Sequence, residues 1–368
     1  MRKIGILTFH RAINYGAFLQ AFALKTYLQK INHSAKIIDY WPVGHENVYE
    51  VFSKNIFRQL PLLSKIKYIV RYLLIYKKAN ERKNKMEALM YKHFDIGSSP
   101  KYNTPQGLSD IQEDIVIYGS DQIWWKSKLK NYEGFDWAYW GDYIPKSSRK
   151  IAYAASMGVI NNSEQDRIEI SQRLCNFASI AVRETMLRDT ICNLTDKPID
   201  IVCDPVFLLD RDEWSQVVKP IKTPPKYVLL FNLMGAQDAL RLAKRKALEM
   251  KIPLVEVTSK VLPLKYGKYC IQTADAFEFL YLVKNAEFVV TSSFHGTAFS
   301  VIFKKQFYSL GMNNNSGRVQ SLLASINLHD RLITDIDKLD NTIINYTRVE
   351  DFLQNYINHS KCFIKESI

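Results

Sequence analysis

The 368-residue chain has only five cysteines, Cys175, Cys192, Cys203, Cys270 and Cys362, set singly along its length. No close cysteine pair and no histidine spacing of the kind that holds zinc accompanies them, and an odd number leaves no complete disulfide framework. A reducing, cytoplasmic setting is therefore expected, with each thiol acting as a small packed residue. Long apolar runs are missing too: none approaches the ~20 uncharged residues that a membrane-spanning helix needs. The amino-terminal "MRKIGILTFH" has a basic start, but its apolar stretch is brief and no small-residue cleavage site follows, so it reads as a buried strand and not as a signal peptide. A glycine-rich phosphate loop, a Ser-His-Asp order, a metal-ligand set and the recognisable nucleic-acid modules are all absent, so neither a metal nor a nucleic acid is an expected ligand.

Acidic residues are scarce in one region. From Lys54 to Lys92 eleven Lys or Arg stand against only Glu81 and Glu87, a large local share of the formal charge of +13. The same region carries apolar residues at helical spacing, as in "LSKIKYIVRYLLIYKKANERK". That pattern suits an amphipathic helix on an anionic membrane surface, making the protein peripheral at the inner face of the membrane. It suits equally a solvated basic face packed on its own domain, and the sequence leaves both readings open.

What is present belongs to a folded protein: 47% hydrophobic and 24% charged residues, with 21 Tyr and 19 Phe. Single cores usually stop growing near ~250 to 300 residues, so two domains are expected. "KIGILTF" reads as a strand, and the apolar positions from Ala17 to Ile31 fall at helical spacing. "KIIDY", "IVIYGSDQIWW", "KIAYAASMG" and "IAVRE" continue the alternation of strand and helix. Three prolines, Pro220, Pro224 and Pro225, mark a linker, after which strands and helices alternate again. The fold class is α/β: two Rossmann-like domains facing a cleft, residues 1–218 and 226–345, with a basic helical insert at about 52–95 in the first. Residues 346–368 form a carboxy-terminal helix expected to pack back on the first domain.

Parallel sheets bind ligands beyond the carboxyl ends of their strands, where loops vary and helix amino termini present N–H groups. This selects His10, Tyr15-Gly16, Asp121, Ser156, Arg183-Glu184, Asp204, Asn232, Ser259 and the run Ser292 to Gly296. Within "TSSFHGTAFS", His295 ends a buried strand just before Gly296 and Thr297, where helix amides bind an anion and an imidazole handles a proton. Arg183, at the end of "SIAV", suits a bidentate grip on a carboxylate or phosphate, and Arg318 of "NNNSGRVQSLL" stands at a helix start that also suits an anion.

Taken in order, "IGILTFHRAINYGAFLQAFAL", "GSDQIW", "AYAASMG", "VRE", "CDPVFLL", "TSSFHGTAFSVIF" and "SGRVQSLL" resemble the polysaccharide pyruvyl transferase family over nearly the whole chain. The resemblance implies a GT-B-like pair of domains, the first on the acceptor side and the second on the donor side. It implies transfer of an enolpyruvyl unit from phosphoenolpyruvate to a sugar of a cell-surface polysaccharide or its lipid-linked precursor, ending as a pyruvate ketal with phosphate released and no cofactor. By the same resemblance His295, Asp121 and Arg183 are the expected catalytic residues. Asn14, Tyr15, Gly16, Ser120, Gln122, Ser156, Glu184, Ser292, Ser293, Gly296, Thr297 and Arg318 are the expected substrate-binding ones. The chain departs from members that carry an arginine two residues before this histidine, for it has Ser293 there, and Arg318 or Lys304 is expected to compensate. A nucleotide-sugar glycosyltransferase on the same architecture and a non-catalytic glycan-binding protein are the competing functions.

Overall fold

The computed structural model of the protein describes all residues except 43, 44, 46–49, 130, 131, 159, 161, 162, 234, 266, 312–316 and 340. The polar loop before Arg318 lies largely outside the described residues.

The first sheet comprises β1 (Lys3–Leu7), β2 (Ser34–Ile37), β3 (Ile115–Tyr118), β4 (Arg149–Ala155), β5 (Ser179–Val182) and β6 (Ile199–Ile201). Its spatial order is β2-β1-β3-β4-β5-β6 and every pairing is parallel. The second sheet comprises β7 (Val228–Phe231), β8 (Leu254–Val257), β9 (Cys270–Ile271), β10 (Phe288–Thr291), β11 (Gln306–Leu310) and β12 (Leu332–Ile333). Its order is β9-β8-β7-β10-β11-β12, again all parallel. Central strands such as "IVIY" and "VLLF" are buried at every position. Continuous apolar runs are what a sheet covered by helices on both faces requires. In each sheet the connections change direction once, between β1 and β3 and between β7 and β10. A crevice opens at such a point beyond the strand ends.

The helices that frame these crevices are α1 (Tyr15–Lys30), α2 (Leu62–Phe94), α3 (Gln237–Glu249), α4 (Ala276–Lys284), α5 (Phe294–Ile302), α6 (Gly317–Ser325) and α7 (Tyr346–Ser367). The two domains are fused by aromatic packing. Tyr15 of α1 stacks on Phe279 of α4 at 4.8 Å, and Phe18 and Phe22 meet Phe277 edge-on at 5.6 and 5.4 Å. One hydrophobic core runs through both sheets as a result. An apolar interface of this kind holds domains in place, whereas a polar one lets them swing.

α2 divides into two halves. Its buried residues are Arg82, Met86, Met90 and Phe94, all in the second half. Arg82 Nη1 donates to Tyr15 OH of the first domain (3.0 Å) and to the Thr258 carbonyl of the second (2.7 Å), and Lys85 pairs with Glu278 at 3.1 Å. The first half projects: Leu62 and Leu63 are each 76% exposed and Leu73 is 67% exposed. Of the two readings of this basic segment, packing on its own domain therefore holds only from Arg82 onward.

α7 begins on the second domain, where Tyr346 OH donates to the Lys305 carbonyl at 2.5 Å. It then lies along the first: Tyr356 OH donates to Val202 O (2.9 Å), Ser360 Oγ accepts from Cys203 N (2.8 Å) and Arg149 Nε donates to Ser367 O (2.8 Å). All five cysteines are free thiols. Among the described residues no helix is long and apolar enough to cross a membrane.

Candidate active site

The two crevices meet in one cavity of about 130 Å³. Asn14 comes from the loop after β1, Asp121 and Gln122 from the loop after β3, and Ser292, Ser293, Phe294 and His295 from the turn between β10 and α5. Arg318 of α6 closes it together with Leu233, Leu310 and Val319.

His295 is placed by short-range packing. Ser293 caps α5, its Oγ accepting from Gly296 N at 3.4 Å while its own N–H donates to Thr291 Oγ1 at 3.0 Å. A Cβ added at Gly296 would stand 2.2 Å from Thr291 Oγ1, so only glycine lets α5 seat this close to β10. Thr297 Oγ1 donates to Ser293 O (3.0 Å) and shares a hydrogen bond with Ser309 Oγ (2.7 Å). Gly296 and Thr297 thus serve the packing beneath the histidine and do not line the cavity.

Across the domain junction a Cβ at Gly16 would come 2.0 Å from His295 Nδ1. The imidazole therefore lies flush against the start of α1. On its other side Nε2 is 3.7 Å from Asp204 Oδ2. That Nε2 is buried and has no hydrogen-bond partner among the described residues. Burial, opposed by Asp204 and Asp121 and reinforced by Arg183 and Arg318, lowers the imidazole to about 4. At neutral pH the histidine is therefore neutral.

Asp204 is the hub behind the cavity. It is fully buried, accepts from Val206 N at 3.1 Å, lies 3.2 Å from Ser120 Oγ and forms a tight ion pair with Arg183. Ser120 Oγ also accepts from Arg183 Nη1 at 3.2 Å. The Arg183 guanidinium sits over the Phe294 ring, 4.6 Å from its centroid. Burial alone would lower its pKa, but Asp204, Glu184 and Asp121 outweigh burial and raise it. Its Nε and Nη2 are buried without hydrogen-bond partners among the described residues. Ser156 Oγ donates to Glu184 Oε1 at 2.7 Å, fixing the acid beside Arg183. The structure so brings Ser120, Ser156, Arg183 and Glu184 together as a layer under the cavity, not as its lining.

Arg318 is the guanidinium that faces the cavity. Burial and the neighbouring Arg183 lower its pKa, and its Nε has no partner among the described residues. Lys304 does not compensate for Ser293, because it is at the far end of α5 and pairs with Glu350 at 2.5 Å. Asp121 adopts a left-handed backbone (φ 74°), which turns the loop after β3 across the cavity mouth. Asn14 Oδ1 accepts from Gly16 N at 2.9 Å and caps α1. Tyr15, in contrast, points away and accepts from Arg82 at the domain junction. His10 is buried against Asp39 at 3.0 Å, outside the cavity. Sequence reasoning placed Asp204 at a strand end but gave it no role; its "CDP" context was the available signal.

A two-domain α/β protein of GT-B-like build, with an imidazole and a guanidinium whose Nε has no hydrogen-bond partner among the described residues at the junction of its sheets, has the parts of a transferase. The chain belongs to the polysaccharide pyruvyl transferase family, whose sequence model matches residues 14–314. No curated protein matches the sequence. Among solved structures the chain is similar to a putative UDP-N-acetylglucosamine 2-epimerase from Listeria monocytogenes, with 11% identity, 98% of this chain and 97% of that chain covered, and a TM-score of 0.46. It is similar also to the UDP-GlcNAc 2-epimerase from Neisseria meningitidis (10% identity, 100% and 94% covered, TM-score 0.45). The spinosyn forosaminyltransferase SpnP gives 10% identity, 100% and 94% coverage and a TM-score of 0.41.

Proposed function

We propose that the protein transfers the enolpyruvyl unit of phosphoenolpyruvate to a pair of sugar hydroxyls, forming a pyruvate ketal and releasing phosphate. The observation that carries this reading is a small cavity lined by Arg318 and His295, whose Nε and Nε2 are buried without hydrogen-bond partners among the described residues. At about 130 Å³ it is well below the ~300–1,000 Å³ of ordinary ligand pockets, and it suits a compact anion.

Arg318 and the amides of Phe294 and His295 at the start of α5 hold the donor's phosphate or carboxylate. The bound anion adds negative charge beside the imidazole, and so raises the His295 pKa. His295 then arrives at the reaction protonated. It gives its proton to the methylene carbon, leaving a cationic centre on the adjacent carbon. One sugar hydroxyl, its proton accepted by Asp121, attacks that centre. The carbon–oxygen bond to phosphate breaks and the second hydroxyl closes the ketal. Of the two hydroxyl protons, one replaces the proton given to carbon and one leaves with phosphate. Asp204 is a positioning residue that holds the imidazolium through its charge, and Arg183 fixes Asp204.

The acceptor in this reading is lipid-linked, and the free half of α2 rests on an anionic membrane. Its exposed Leu62, Leu63, Ile66, Val70 and Leu73 alternate with Lys65, Lys67, Arg71, Lys77 and Lys78, with no acid before Glu81. Incubating the protein with phosphoenolpyruvate and a panel of lipid-linked sugars, and following phosphate, tests the reading; release of a nucleotide from a sugar donor instead would establish the rival glycosyltransferase.

A further inference from the structure

A second cavity, of about 480 Å³, adjoins the first. It lies beyond the carboxyl ends of β7 and β8 and is lined by Asn232, Gly235, Gln237, Thr258, Lys260 and Lys265, among others. Leu233 lines both cavities. Asn232 forms the partition: its Oδ1 accepts from Ser292 Oγ on the donor side at 3.1 Å and from Ala236 N at 3.1 Å, while its Nδ2 donates to Ala236 O at 2.9 Å.

Two independent features mark this space as a binding site. The amino end of α3 opens onto it with no side-chain cap, preceded by Gly235 at φ 67° with open space where a Cβ would stand. Thr258 is only 4% exposed, yet its Oγ1 is buried with no hydrogen-bond partner among the described residues. A buried hydroxyl left unpaired is destabilising, and a ligand hydroxyl would offset that. Lys260 is exposed at the rim, and Lys265 pairs with Glu256 inside it. Uncapped helix amides beside a lysine recognise phosphate oxygens. Thr258, Gln237 and Asn232 offer the mixed donors and acceptors that sugar hydroxyls need.

We propose that this cavity binds the acceptor as a diphosphate-linked sugar, an inference that rests on the pyruvyl transfer reading above and sets the acceptor on the second domain, which the family resemblance gave as the donor side. The diphosphate sits on the amino end of α3 and Lys260. The sugar hydroxyls meet Thr258 and Gln237, and the ring points past Asn232 and Leu233 toward His295. The diphosphate belongs to a lipid or to a nucleoside, and both present the same chemistry to the protein. The position of α2 bears on this, since Arg82 of its buried half donates to the carbonyl of Thr258, a residue of the cavity wall.

Equilibrium dialysis of the full chain with UDP-N-acetylglucosamine, farnesyl-diphosphoryl-N-acetylglucosamine and neutral methyl N-acetylglucosaminide tests the proposal. At least one diphosphate-linked sugar binds saturably, and the neutral glycoside binds far more weakly. Lys260→Glu, at an exposed position, weakens that binding at least tenfold, and the near-isosteric Thr258→Val weakens it about fivefold, the effect of one lost hydrogen bond. Phosphoenolpyruvate binding, measured on the same samples, is unchanged by either substitution. Which of the two diphosphates binds more tightly assigns the source. Failure of both diphosphate sugars to bind, or binding indifferent to both substitutions, overturns the proposal. Diphosphate-sugar binding without any phosphoenolpyruvate binding would instead overturn the donor assignment and leave this site standing.

Discussion

His295 Nε2 and Asp204 Oδ2 face each other at 3.7 Å across the junction of the two domains, the histidine from the second and the aspartate from the first. The pair exists only where the two domains meet. Asp204 is already paired with Arg183, so it steadies the imidazolium without taking its proton. Asp204→Asn leaves Arg183 buried beside a neutral amide and is expected to cost roughly 3–5 kcal/mol of stability, read by urea unfolding. Replacing both partners, Arg183→Met with Asp204→Leu, restores most of that stability but not turnover. Recovery of turnover in the double variant would show that the pair has no part in positioning the histidine.

Gly16 is the other neighbour of this imidazole. Gly16→Ala puts a methyl group 2.0 Å from where Nδ1 now stands, and the ring must move because the α1 backbone is packed in the core. Turnover is expected to fall at least tenfold while phosphoenolpyruvate affinity, which depends on Arg318, stays within about twofold. Equal losses in both would place Gly16 in donor binding.

Arg318→Gln removes a charged contact from the cavity. Charge-assisted hydrogen bonds contribute ~1.5–3 kcal/mol, so donor affinity should weaken by about 10- to 150-fold with unfolding temperature nearly unchanged. Calorimetric titration with phosphoenolpyruvate gives the answer. An unaltered affinity would return the donor's anion to some other group.

Protonation of buried histidines links stability and donor binding to pH. Burial holds both His295 and His45 at about 4 in the folded protein, against about 6.5 in an unfolded chain. Above pH 6.5 both groups are neutral in both states and contribute nothing to pH dependence. Between pH 6.5 and 4 the unfolded chain takes up protons that the folded one refuses. Stability is therefore lost as pH falls through this window, by up to about 1.4 kcal/mol per pH unit for each group. His295→Asn should flatten the slope by about one proton. Donor binding should draw a proton into the site near neutral pH, seen as a dependence of binding heat on the buffer's ionisation enthalpy; a buffer-independent heat contradicts the proposed loading of His295.

Replacing Lys65, Lys67, Arg71, Lys77 and Lys78 by Gln tests the free half of α2. Each basic residue near an anionic bilayer contributes about 1 kcal/mol, so co-sedimentation with phosphatidylglycerol vesicles should be lost while turnover of a soluble acceptor persists. Vesicle binding that survives the five substitutions would show that these basic residues do not carry the membrane contact.

Much of this arrangement was legible in the sequence because parallel sheets write their central strands as unbroken apolar runs. "IVIY" and "VLLF" announce themselves, and the residues just after them, Asp121 and Asn232, border the two cavities. What periodicity does not carry is side-chain direction one turn into a helix. Gly296 and Thr297 look like anion ligands from their place at the start of α5, yet they face β10 and β11. Tyr15, adjacent to Asn14, turns onto Phe279 instead of the cavity. The role of Asp204 depends on a histidine 91 positions later in a different domain, and no local pattern encodes that meeting.

The central claim is that His295 delivers a proton to the methylene carbon of phosphoenolpyruvate. Running the reaction in D2O with a competent acceptor and reading the product by NMR and mass spectrometry tests it directly. The expected result is a ketal methyl group carrying one deuterium, one phosphate released per ketal, and a loss of at least ~10²-fold in rate for a folded His295→Asn protein that still binds phosphoenolpyruvate. A methyl group without deuterium, or a His295→Asn protein that forms ketal at nearly the parental rate, would contradict it.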